Sequence, residues 1–429
     1  MTEPLRIGLA GLGVVGAGVA RLLLENAELI AARAGRPLAL AAVSARNRGL
    51  DRGVDLSGAA WEDDPVALAR RPDLDAVVEV IGGSDGPAKA ACEAALAAGR
   101  HVVTANKALL AHHGEALASQ AEAAGAALRF EAAVAGGIPA VKALTEGLAA
   151  NRISRVQGVL NGTCNYILTE MERTGRDYAE VLAEAQAKGY AEADPSFDVG
   201  GVDAAHKLAL LAAIAFGRRV AFDTLPVEGI ERIALADIAH AAELGYRIRL
   251  LAVARRVGEG VERAVRPGLV RRDSVLGQLK GVTNAVVIEG DAVGRVVLTG
   301  PGAGAGPTAS AVVADLIDLA RGVRTPAFGI PAAALAPTVE NGAPERPAEH
   351  YLRLRVEDRP GALAEVAAAL GEAGVSIRAM RQPEEHGAEA DVLIVTHACA
   401  RPALDRALAA VAERPVCRAA PVALRIEEE

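Results

Sequence analysis

The stretch "LRIGLAGLGVVGAGV", residues 5–19, joins an apolar run to three glycines, Gly11, Gly13 and Gly16, in GxGxxG spacing. An apolar strand that ends in such a turn and continues as a helix is the opening of a dinucleotide-binding βαβ unit. The glycines permit a tight turn, let backbone approach a pyrophosphate and let helix pack closely on strand. The helix amino terminus then faces the phosphates.

Outward from this turn, the first 135 residues alternate short apolar runs with Ala/Leu-rich helical stretches. Strands are expected over 5–10, 38–44, 75–81, 101–104 and 127–134. Such alternation implies an α/β unit, a Rossmann-type parallel sheet covered by helices on both faces. NAD-binding turns carry an acid about 20 residues on that holds the ribose. Here the second strand is followed by "ARNRGLDR" (45–52), with Arg46 and Arg48 and no early acid. A guanidinium there suits a 2′-phosphate, so NADP is expected, with NAD as the alternative. Lys107 falls just past a strand's carboxyl end, the edge along which open α/β sheets bind ligands.

Residues 136–322 change pattern, with long helices among separated strands, and read as an α+β catalytic and dimerisation domain. A glycine run, "TGPGAGAGPTAS" (299–310), opens a helix whose segment, 300–322, is expected to pack back on the first unit. Residues 323–349 are rich in Pro and Ala, a linker by composition. Residues 350–429 follow the order strand, helix, strand, strand, helix, strand, which is ferredoxin-like.

Between these units lies "GYAEADPSFDVGGVDAAHKL" (189–208), where Glu192, Asp194, Asp198 and Asp203 precede an almost wholly apolar helix. Asp203 and Lys207 are four apart and share a face. Steps of four and seven from Lys207 reach Leu211 and Ile214, so the lysine lies on an apolar face. Carboxylate partners would offset the cost of removing an ammonium from water, and a lysine so placed can act as general acid or base. The turn "NGT" (161–163) is expected to start a helix with Thr163 as cap, and Cys164 reads as core.

The net charge of −8 and the lack of a basic block speak against a nucleic-acid partner. No apolar run reaches the roughly 20 residues of a membrane span, and no signal peptide is recognisable. With Cys92, Cys164, Cys399 and Cys417 widely spaced, the expectation is a cytoplasmic enzyme with reduced thiols. The terminal "EEE" reads as a solvated tail, His112 and His113 as helix surface, and no histidine spacing suggests a metal.

Taken together, "GLGVVGAGV", "TANKALLA", "FEAAVAGGIPAVKAL", "VLNGTCNYILTEM" and "GYAEADPSFDVGGVDAAHKL" resemble the homoserine dehydrogenase family over about residues 5–322. The resemblance implies NAD(P)-dependent interconversion of L-homoserine and L-aspartate 4-semialdehyde, in threonine and methionine biosynthesis. It implies Lys207 as catalytic lysine, supported by Asp203, with Glu192 and Asp198 binding substrate and Lys107 near substrate and nicotinamide. Gly304 and the positions Val14 and Val15 would touch the cofactor, Val14 standing where threonine is common. Some members also hold a monovalent cation, usually sodium, mainly through backbone oxygens; the matching positions are Glu131, Val134, Gly136 and Ile138. The family further suggests a homodimer or homotetramer.

The carboxy-terminal unit resembles an ACT domain in "VEDRPGALAEV", with Asp358, Pro360 and Gly361 at the first strand-to-helix turn. That resemblance implies an amino-acid effector, L-threonine for this family; a purely structural role is the alternative. Two other functions stay open at this point. One is a dehydrogenase of another small amino or hydroxy acid, the other a non-catalytic sensor that keeps the cofactor fold.

Overall fold

The computed structural model describes residues 3–338, 346–383 and 387–428 of the chain. The amino-terminal unit runs β1 (Leu5–Ala10), α1 (Val14–Glu25), α2 (Ala27–Ala34), β2 (Leu38–Ser44), β3 (Ala60–Glu62), α3 (Pro65–Ala69), β4 (Ala76–Glu79), α4 (Pro87–Ala97), β5 (His101–Thr104), α5 (Lys107–Ala123) and β6 (Leu128–Arg129). All six strands are parallel, in the order β3-β2-β1-β4-β5-β6. Burial is nearly continuous along β1, where only Arg6 is exposed, and complete along β4, because both faces of a parallel sheet are covered.

The last expected strand, 127–134, is corrected to the two residues of β6. After Phe130 the chain turns into α6 (Glu131–Ala135), followed by α7 (Ala140–Lys142). Glu131 drives this turn. Its buried carboxylate accepts the backbone N–H groups of Val141 (3.0 Å) and Lys142 (2.7 Å), satisfying the start of the next helical segment.

The central unit continues with β7 (Ile153–Val159), α8 (Gly162–Thr174), α9 (Tyr178–Ala187), α10 (Ser196–Val199), α11 (Val202–Phe216), α12 (Leu235–Glu243), β8 (Tyr246–Val257), β9 (Gly260–Arg271), β10 (Thr283–Gly290), β11 (Gly294–Pro301) and α13 (Ala305–Ala320). Buried residues of α13, among them Val312, Leu316 and Leu319, share one core with Leu5, Ile7 and Leu9 of β1 and Val19 of α1. The stretch read as linker is anchored over part of its length. Phe328 is buried against Phe130, and Ala336 pairs with Gly217 and Arg219 through backbone hydrogen bonds; residues 339–345 lie outside the described residues.

The carboxy-terminal unit is β12 (His350–Glu357), α14 (Ala362–Glu372), β13 (Ile377–Arg381), β14 (Glu389–Thr396), α15 (Arg401–Ala412) and β15 (Val422–Ile426). Its antiparallel order, β15-β12-β14-β13, is the expected ferredoxin-like topology. This small sheet does not stand apart. β15 pairs in parallel with β9 at Arg425–Gly268 and Ile426–Leu269, so one nine-stranded sheet runs from β11 to β13.

The expectation of a solvated acidic tail fails at Glu427. Its carboxylate is buried and pairs with Arg255 (2.5 Å) and Arg425 (3.0 Å), while Glu262 meets Arg425 at 3.1 Å and Arg255 at 3.6 Å. Each buried charge thus faces opposite charges on both sides, which is what makes its removal from water tolerable. Asp237 of α12, also buried, adds a second tie through Arg353 (2.7 and 3.1 Å) and the Tyr351 hydroxyl (3.1 Å).

Candidate active site

The glycine turn performs three separate tasks. Gly11 has φ +103°, a conformation that side-chain-bearing residues rarely adopt, and Gly13 faces open space on the side where a β-carbon would stand. A β-carbon at Gly16 would lie 2.0 Å from the Gly11 carbonyl oxygen, so only glycine lets α1 approach β1 this closely. Gly11, Gly13 and Arg46 line a groove of about 590 Å³ at the carboxyl ends of β1, β2 and β4. The cradle fits a pyrophosphate between the first turn of α1 and the strand ends. Val14, on the rim, is exposed.

Sequence reasoning passed over Arg52, although it stands in the same basic stretch as Arg46. Its guanidinium donates to the carbonyls of Leu12 (3.1 Å), Leu50 (2.7 Å) and Asn47, tying the loop after β2 to the glycine turn. Its guanidinium carbon also lies 5.5 Å from the Trp61 ring centre.

A second cavity, about 560 Å³, opens where the amino-terminal and central units meet. It brings together Val15, Lys107, Glu192, Asp198, Asp203, Lys207 and Gly304, residues from four separate stretches of chain. Val134 and Gly136 also line it, whereas Glu131 and Ile138 are buried behind it. The acidic cluster divides by depth. Asp203 is buried, Asp198 partly buried and Glu192 exposed at the rim, while Asp194 turns outward to accept the Ser196 N–H (3.1 Å).

Asp203 is the centre of the constellation. Its Oδ2 accepts from Lys207 Nζ (2.7 Å) and Asn161 Nδ2 (2.9 Å), and its Oδ1 lies 3.1 Å from Lys107 Nζ. Lys207 also donates to the Leu160 carbonyl (2.8 Å). Burial opposes the charged form of Asp203, but Lys207 and Lys107 outweigh it and hold the carboxyl well below the usual range. Burial lowers the pKa of Lys207 despite Asp203, with Lys107 pushing the same way. Lys107 goes up instead, because Asp203 outweighs its burial. Asp198 is raised by burial and by the neighbouring Asp203 charge.

The cap of α8 is corrected from Thr163 to Asn161. The Asn161 side-chain Oδ1 accepts the Cys164 N–H (2.8 Å), while the Thr163 hydroxyl donates to the Tyr190 carbonyl (2.7 Å). Cys164 is core as expected, and burial pushes its thiol up, away from nucleophilic character. Asn284 escaped the sequence reading, which had Gly302 only as part of the glycine run 299–310. A β-carbon at Gly302 would strike the Asn284 side-chain amide at 2.0 Å, so the glycine run is packed against the cavity wall.

Matches to known proteins agree with this geometry. The family model described as "Homoserine dehydrogenase, NAD binding domain" covers residues 11–131, "Homoserine dehydrogenase" covers 139–317, and "ACT domain" covers 350–415. A homoserine dehydrogenase of Pseudomonas aeruginosa is 44% identical over 99% of both chains. The chain belongs to the homoserine dehydrogenase family. A family member from Neisseria gonorrhoeae is 45% identical over 95% of each chain. The crystal structure of the Thiobacillus denitrificans homoserine dehydrogenase superposes with a TM-score of 0.92 at 41% identity, covering 99% of both chains. A hyperthermophilic archaeal homoserine dehydrogenase solved with NADPH matches 74% of this chain and 97% of its own, at a TM-score of 0.63 and 27% identity. As a homoserine dehydrogenase, the chain is an oxidoreductase that takes a nicotinamide cofactor.

In the carboxy-terminal ACT domain the turn of Asp358, Pro360 and Gly361 lies at the surface. Asp358, Pro360 and Gly361 are exposed, Gly361 with φ +88° before the first residue of α14. Among the described residues, no helix is long and apolar enough to cross a membrane, and no group of three or more His, Cys, Asp or Glu is placed to hold a metal.

Proposed function

We propose that the chain interconverts L-homoserine and L-aspartate 4-semialdehyde with a preference for NADP(H) and feeds threonine and methionine biosynthesis in the cytoplasm. The observation that supports this reading is the Lys207–Asp203–Lys107 row, buried at Asp203 and Lys207 and half-buried at Lys107, which faces Gly304 and Val15 across one cavity.

When bound along Gly11, Gly13, Gly16 and Gly304, the cofactor accepts or supplies hydride. Glu192 and Asp198, at the mouth, hold the substrate ammonium. Two of the three Nζ positions of Lys207 are engaged by Asp203 and Leu160, which leaves the third for the substrate oxygen. Its lowered pKa suits it to take the hydroxyl proton as the alcohol is oxidised. In the reverse direction Lys207 returns that proton to the oxyanion, and Lys107 adds a second cation beside the developing charge. Asp203 stays ionised throughout and fixes both ammonium groups.

Arg46, at the edge of the cofactor groove, carries the NADP preference. The sodium reading rests on the resemblance alone for Glu131, Val134, Gly136 and Ile138. Burial and the nearby Asp315 raise Glu131 to about 7, the direction that a bound cation would reverse. Threonine acts through the Asp358–Gly361 turn, and the assembly is a homodimer or homotetramer.

The test is reduction of NADP⁺ and NAD⁺ by the purified protein with L-homoserine, with and without L-threonine. Turnover with NADP⁺ that falls when threonine is added is the expected result. Activity with another hydroxy amino acid in place of homoserine would overturn the substrate, and Arg46→Ala should erode the preference for NADP⁺. Mass measurement in solution tests the assembly.

A further inference from the structure

We propose that Asn161 is a positioning residue that joins the two pocket carboxylates and holds Asp203 on Lys207. This deepens the reading above and rests on it. The side-chain amide of Asn161 makes three hydrogen bonds. Nδ2 donates to Asp198 Oδ1 (2.7 Å) and Asp203 Oδ2 (2.9 Å), and Oδ1 accepts the Cys164 N–H (2.8 Å). The helix N–H fixes which end of the amide is the acceptor, so the donor end can point only at the acids. Flipping the group would break all three bonds and set an oxygen against two carboxylates.

The preceding residue completes the arrangement, because the Leu160 carbonyl takes a second proton of Lys207. The junction of β7 and α8 therefore holds both members of the Asp203–Lys207 pair from a segment that neither belongs to. A neutral donor is what this place requires. Asp198 and Asp203 repel each other across it, and an amide NH2 that gives one N–H to each lowers that repulsion without adding a cation that would compete with Lys207. The charged and titratable groups around the pair are Lys107 from α5, Cys164 from α8, Asp198 from α10 and His206 from α11.

Asn161→Asp and Asn161→Ser test the proposal, because both residues cap helices about as well as asparagine and neither supplies the amide donor. Asn161→Ser should unfold near the parent's temperature, while Asn161→Asp, which sets a third carboxyl against Asp198 and Asp203, should unfold lower but stay folded at the assay temperature. The expected loss is about 10- to 100-fold in kcat. Lys207 is one of six lysines. Its side-chain carbon signal, after lysine-selective 13C labelling and assignment with Lys207→Arg, reads its titration without turnover. That titration should move upward by about one unit in Asn161→Asp, which adds a third carboxylate. A kcat within twofold of the parent together with an unmoved Lys207 titration would overturn the role of Asn161. A parent that titrates Lys207 as described but fails to oxidise homoserine would overturn the substrate reading alone.

Discussion

Lys207 Nζ lies 2.7 Å from Asp203 Oδ2, one helical turn away in α11, and both side chains are buried. An i,i+4 pair on a solvated helix contributes a few tenths of a kcal/mol. Here the same spacing puts an ion pair on the wall of the cavity, where removal of either partner leaves an uncompensated charge. Lys207→Ala should lower kcat by about 10²–10⁴-fold, the range of a lost general acid–base group, while cofactor affinity stays near the parent's. Fluorescence titration with NADPH beside steady-state rates separates the two.

Lys107 acts on Lys207 through Asp203 and through its own charge. Its removal takes away a like charge that lowers the Lys207 pKa, so that pKa should rise in Lys107→Ala. The limb of the kcat/KM profile for homoserine oxidation that reports a deprotonated Lys207 should therefore move to higher pH. A limb that stays in place, or moves down, would contradict the coupling.

Gly302 and Gly306 lie in the same glycine run but differ in surroundings. A β-carbon at Gly302 meets the Asn284 amide at 2.0 Å, whereas nothing lies within 4 Å at Gly306. Gly302→Ala should raise KM for cofactor or homoserine and lower kcat, with a stability loss of about 1–3 kcal/mol from overpacking. Gly306→Ala, inside α13, should be active and as stable as the parent or slightly more so.

His206 is buried beside Phe222 and Phe197, with neither ring nitrogen hydrogen-bonded, and burial lowers its pKa from 6.5 to about 4. Between those values the unfolded chain binds more protons than the folded one. The contribution of His206 is thus present above pH 6.5 and is lost as pH falls toward 4. Replacing it with Leu should flatten the decline of stability in that window by about 1–3 kcal/mol, measured as denaturant midpoints at pH 7 and pH 5.

Glu427 joins the ACT domain to the central sheet through Arg255, and Arg425 beside it does so through Glu262. Glu427→Ala leaves two buried guanidinium groups short of a partner and should cost about 3–5 kcal/mol. Neighbouring Glu428, which is exposed, should tolerate alanine with a change below about 1 kcal/mol. Calorimetry is expected to split the Glu427→Ala transition in two, as the ACT domain comes away first.

The local sequence of this protein determines whatever depends on short spacing. The glycine turn after β1, the βαββαβ order of the ACT domain and the shared face of Asp203 and Lys207 all follow from periods and offsets within a few residues. The tertiary structure decides whatever depends on what comes to lie opposite. Four acids close together in the chain end at different depths, from exposed Glu192 and Asp194 to buried Asp203, because the loop before α11 folds around a cavity whose far wall comes from α5, α8 and the glycine run. A capping asparagine becomes the link between two carboxylates, and an acidic tail becomes half of a buried charge cluster, because partners more than 30 residues away in the first case and more than 160 in the second face them. Spacing along a chain sets which side chains share a face. Burial and long-range partners set their charge, and those exist only once the units have packed together.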